Sequence, residues 1–153
     1  MSTNLVTLGG LPLHPLVVHL VVVIVPLTAL GAVLMAVHRN FSRRFGVLVA
    51  IGGLVSIGSA VLAKEAGEQL ARVVAVTADH YSWGSRAPIW IGLFGLSAIG
   101  FWAFERGIPA NRPRPVWLRI AAGVVVLLAI LATIAVIGAG HSGSEGVWSQ
   151  LIP

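Results

Sequence analysis

Four of the chain's five histidines fall in segments whose ends could meet. His14 and His19 stand in Leu13-His14-Pro15-Leu16-Val17-Val18-His19, His80 in Asp79-His80-Tyr81-Ser82-Trp83-Gly84, and His141 in Gly140-His141-Ser142-Gly143. Imidazole binds iron, copper and zinc, and a ligating histidine needs a carboxylate or carbonyl at its second nitrogen to fix the tautomer. Glu65, Glu68 and Asp79 are the carboxylates placed to serve, and Glu68 is also a candidate direct ligand. Cysteine is absent and methionine occurs only at Met1 and Met35. Disulfides, zinc ribbons, iron–sulfur clusters, blue copper and thioether-attached haem therefore fall away.

What remains is imidazole chemistry. A b-type haem would take one axial histidine from each of two facing helices, His19 with His80 or His141, with His14 or Arg86 near a propionate. A non-haem copper, zinc or iron ion would draw nitrogen ligands from His14, His19, His80 and His141. Five residues turn an ideal helix through roughly 140°, so His14 and His19 do not share one face. His14 precedes a proline, however, and is expected outside the helix, where it can fold back. The plain structural reading needs no cofactor, with His19 hydrogen-bonded to Glu68 or to a backbone carbonyl. His38 stands apart beside arginines and marks an interface. Ser142 beside His141 does not make a nucleophile and its base, because chain neighbours do not meet in that geometry. Gly140-His141-Ser142-Gly143 reads more simply as a helix C-terminus, so an independent enzyme is not expected.

The elements that must position these residues are membrane spans. Of 153 residues, 57% are hydrophobic and only 10% charged, where a soluble domain carries about 25% charged residues. The apolar runs predict an all-α, integral membrane four-helix bundle in one transmembrane domain, residues 1–153. The spans are expected at about 16–37, 45–63, 88–104 and 117–139, each near the 20 residues that cross a bilayer. Beyond the second, Lys64, Glu65, Glu68 and Arg72 alternate with apolar residues at helical spacing, which predicts an amphipathic extension to about residue 80. Pro26 lies mid-span and could kink the first helix. Trp90, Trp102, Trp117 and Trp148 fall near span ends, as an aromatic belt requires. The first run is too long for a signal-peptide core and follows no basic residues, so it reads as a retained span.

The net charge of +5 does not imply nucleic acid, because the basic residues sit in short loops and form no stripe with aromatics. Arg39, Arg43 and Arg44 fall in the first loop, and Arg106, Arg112, Arg114 and Arg119 in or beside the third. Positive loops stay cytoplasmic, which predicts N- and C-termini on the extracytoplasmic side of a bacterial plasma membrane. Gly52, Ser56 and Ala60, and Gly92, Gly95 and Gly100, would let backbones pack closely or leave room for a flat cofactor. The two halves share a topology but no motif, and no internal repeat is visible.

Together these segments resemble a bacterial family of four-helix predicted membrane proteins known only as a domain of unknown function. The resemblance rests on the His14-Pro15-Leu16-Val17-Val18-His19 stretch, on Ala66-Gly67-Glu68-Gln69-Leu70, on His80 with Gly84, and on Gly140-His141-Ser142-Gly143 with Trp148. It covers nearly the whole chain. It implies a multi-pass membrane protein of unassigned activity whose recurring histidines look like a metal or haem site. Relatives often carry a second carboxylate soon after the Gly-Glu pair, where this chain has Ala71 and Arg72. They often have alanine after the final Gly-His-Ser-Gly, where it has Ser144 and Glu145.

The leading expectation is electron transfer through haem b or a transition metal at the outer histidines, with a redox partner. The alternative is a small accessory or scaffold subunit of a larger membrane complex, respiratory ones included, with structural histidines and no cofactor. A conducting role is disfavoured because the middles of the first and fourth spans are aliphatic.

Overall fold

The computed structural model describes residues 7–149. A short antiparallel hairpin, β1 (Thr7–Leu8) and β2 (Leu11–Pro12), precedes four helices. Its two-residue turn is Gly9-Gly10, both with positive φ, as a tight hairpin of matching twist requires. The helices are α1 (Leu13–Val37), α2 (Arg39–Leu70), α3 (Ala78–Arg106) and α4 (Val116–Trp148). At 25, 32, 29 and 33 residues, all four are long and apolar enough to cross a membrane.

The bundle is ordered around its axis as α1, α2, α3, α4, each helix packing on its two chain neighbours and α4 closing on α1. Its outer surface is aliphatic, with Leu27, Leu54, Leu96, Ile120 and Ile137 all exposed. Its interior is rich in small residues, among them Ala32, Ser56, Ala98, Ala129 and Ala132, with Met35, Ile91, Phe94 and Leu118 as its few large side chains. This inversion suits lipid, where no hydrophobic force separates inside from outside and close backbone packing holds helices together. The α2–α3 crossing is the tightest case. A Cβ on Gly95 would stand 2.8 Å from the Gly53 carbonyl oxygen, so only glycine fits there.

Four helix ends depart from expectation. The arm beyond the second span stops at Leu70; residues 71–77 turn, and Thr77 caps α3 by accepting the His80 backbone N–H. Helix α3 therefore begins ten residues before Pro88, which it carries in its interior without breaking. His14 lies inside the first turn of α1, where Pro15 lacks an N–H that the turn does not need. Gly140-His141-Ser142-Gly143 does not end a helix: α4 continues to Trp148, and Gly143 serves close packing.

The largest departure is an internal repeat. All eight buried residues of α4, from Leu118 to Ser142, stand 76 positions after a residue that is buried in α2. In α3, six of its seven buried residues stand 66 positions after a buried residue of α1. The pairs include Val25 with Ile91, Ala32 with Ala98, Gly53 with Ala129 and Ser56 with Ala132. The two helical hairpins are thus parallel repeats about an axis running along the bundle. The longer connection at residues 107–115 absorbs most of the ten-residue difference in offset.

A paired-histidine candidate site

Residues related by a two-fold axis touch one another only beside that axis. One such pair occurs: His14 and His80, 66 positions apart, meet at one end of the bundle with ring centres 6.2 Å apart and planes at 77°. At the opposite end Arg39 Nε stands 3.9 Å from Glu105 Oε1, a contact between α2 and α3 that the repeat does not relate.

Each histidine of the pair is held in the same way. His14 Nδ1 lies 2.8 Å from the Ala63 carbonyl oxygen of α2, and His80 Nδ1 lies 3.0 Å from the Ala139 carbonyl oxygen of α4. A carbonyl only accepts, so both Nδ1 atoms carry a proton and donate it. A helical carbonyl is normally screened by the side chain one turn later. Here that position is glycine in both halves, Gly67 after Ala63 and Gly143 after Ala139. A Cβ on Gly67 would stand 2.9 Å from His14 Nδ1, and one on Gly143 would stand 3.0 Å from His80 Nδ1. The glycines leave space for the imidazoles, and the carbonyls fix their tautomer. In the neutral ring, Nε2 is then the atom with a free lone pair.

The other sequence candidates go elsewhere. His19 is exposed on a different face of α1 and gives its Nδ1–H to the Pro15 carbonyl one turn back. His141 is exposed on α4, in a groove with Asp79 and Glu145. Glu68 is paired with Lys64 on its own helix. Among the described residues, no three histidine, cysteine or acidic side chains form a group able to hold a bare metal ion.

The opposite end carries a site that the sequence reading passed over. Glu105 is 1% exposed. It accepts hydrogen bonds from Ser42 of α2 and, at 2.5 Å, from Arg114 Nε of the connection before α4. The Arg114 guanidinium also donates to the Ala36 carbonyl and, at 2.8 Å, to the Met35 carbonyl, which satisfies the free end of α1. Arg39 and Arg43 donate to carbonyls of residues 108–112. One carboxylate and three arginines thus join α1, α2, α3 and the connection that leads into α4. The arginines were expected to set topology alone. The available signal was Glu105 itself, a carboxylate closing an apolar span beside an arginine-rich loop, for which a partner should be sought.

A four-helix membrane protein built of two parallel hairpins, with one imidazole from each beside the axis, is the class these features define. The chain belongs to the family described as predicted membrane protein (DUF2231), whose profile matches residues 10–152. Comparison with curated proteins and with solved structures found no match.

Proposed function

We propose that His14 and His80 would hold a b-type haem and that the protein carries electrons at the extracytoplasmic side of a bacterial plasma membrane. The observation that supports this is the matched pair of Nδ1–H to carbonyl bonds, which prepares both imidazoles to ligate through Nε2. Ligating histidines characteristically tie their other nitrogen to a carbonyl or carboxylate in this way.

The donor set fits haem better than a bare ion. A structural tetrahedral zinc site uses four protein ligands, whereas iron in a porphyrin needs only two axial ones. The two rings stand 6.2 Å apart, centre to centre, one from each hairpin, so both could serve one group. Haem would supply reversible one-electron chemistry. The chain's part is to hold the imidazoles in one tautomer, each ring seated against Gly67 or Gly143. The arginine-rich connections 38–44 and 106–119 support a cytoplasmic location for the opposite end, by the positive-inside rule.

The test is the visible spectrum of detergent-purified protein, oxidised and then reduced with dithionite, with metal analysis of the same sample. A Soret band with split α and β bands on reduction is expected, lost in His14→Ala and in His80→Ala. It should persist in His19→Ala and His141→Ala, whose side chains lie on other faces. Stoichiometric copper, zinc or iron without that spectrum would replace haem by a non-haem centre. A sample with neither would overturn the reading and leave a scaffold subunit with structural histidines.

A further inference from the structure

A second site lies on the outside of the bundle, in the groove between the start of α3 and the end of α4. It is an open groove of about 370 Å³, a volume within the range of small-molecule sites. Its floor is Trp83, laid against Gly138 so closely that a Cβ there would stand 2.6 Å from the indole. Ile137 opens it toward lipid, and Asp79, His141 and Glu145 form its polar rim. No lysine or arginine lines it, and neither carboxylate is in an ion pair among the described residues.

The placement of Glu145 is what calls for a ligand. It stands in the last turn of α4, where the helix's own partial charge is negative. A carboxylate is disfavoured there and a cation favoured. The first repeat carries different residues at the equivalent positions. By the same offsets, Asp79, Trp83, Gly138 and Glu145 correspond to Leu13, Val17, Leu62 and Gln69. Leucine replaces the glycine that opens the groove, valine replaces the indole, and both rim carboxylates are lost. The repeats agree through the core and differ here.

We propose that this groove binds a lipophilic organic cation, its positive head over Trp83 between Asp79 and Glu145 and its apolar part along Ile137. An ammonium over an indole face is attracted by the ring quadrupole, and two unpaired carboxylates add charge complementarity. The same carboxylates repel an anionic phospholipid head, and a purely apolar occupant leaves them unused.

The probe is benzyltrimethylammonium, with neopentylbenzene as the uncharged molecule of the same shape, titrated against full-length protein in neutral-lipid nanodiscs. Saturable binding of the cation is expected, weakened at least fivefold in Glu145→Gln and in Asp79→Asn. Both positions are exposed, so the fold is retained, and any haem spectrum should be unchanged. Trp83→Leu should weaken binding while leaving the far-ultraviolet dichroism intact. The proposal is overturned by equal affinity in Glu145→Gln, by displacement of the cation by neopentylbenzene, or by no saturable binding.

Discussion

Arg114→Ala is expected to destabilise the protein by about 3–5 kcal/mol, the usual cost of removing one partner from a buried ion pair. The substitution leaves Glu105, at 1% exposure, without its direct cation, since Arg39 Nε is 3.9 Å away. It also strips the Met35 and Ala36 carbonyls of their donors at the free end of α1. Those carbonyls then face a poorly solvated region, where an unsatisfied group carries its full desolvation penalty. Arg114→Lys should recover only part of the loss, because an ammonium cannot reach a carboxylate and two carbonyls with one planar fork. The measurement is denaturant unfolding in mixed micelles followed by circular dichroism. Arg119→Ala is the comparison, an exposed arginine five residues on, in the first turn of α4, whose loss should stay within about 0.5 kcal/mol. Equal effects of the two substitutions would show that Glu105 is not held as a buried ion pair.

The four helices were legible because span length and apolarity do not depend on what the helices touch. Helix ends were less so. The arm after Ala63 was extended too far because Arg72 continues a helical spacing that the chain abandons at Leu70. Gly140 and Gly143 imitate a C-cap, yet in a membrane helix glycine as often marks where something presses on the backbone, as His80 does on Gly143. Pro88 imitated a helix start because no tool of spacing shows that Thr77 already caps α3.

The repeat was hidden for a different reason. In water, a core stripe stands out against polar faces and two copies of it can be aligned. In lipid the outward faces are aliphatic too, so the buried stripe carries little contrast. Its members are also interchangeable small residues, Ser56 for Ala132 and Gly46 for Ala122. The histidines were read as one group, whereas the structure brings His14 to His80 and leaves His19 and His141 on other faces, because which of them meet depends on the axis. His19 looked the stronger candidate because it lies deeper in the span. His14 is the one whose equivalent, His80, stands across the axis.

The glycines that seat these rings should respond opposite to ordinary helix glycines. Glycine to alanine in a helix interior normally gains about 0.5–1 kcal/mol. Gly58→Ala should show that gain, since a Cβ there meets nothing within 4 Å. Gly67→Ala and Gly143→Ala should instead each lose about 1–3 kcal/mol, the range for overpacking a filled site. The new methyl group would press on His14 or His80 at the ring edge that carries the hydrogen bond. The ring must move off, and its Nδ1–H then has no carbonyl. Nitrogen NMR of histidine-labelled protein reads this directly, as loss of the Nδ1-protonated tautomer at the affected ring, with or without any cofactor. Because the two rings are in contact, the double substitution should not be additive; neighbours that share a contact typically couple by 0.5–3 kcal/mol, roughly. Additive losses, or a gain at Gly67 like that at Gly58, would mean that the imidazoles are not seated on these glycines and that the pair beside the axis is loose.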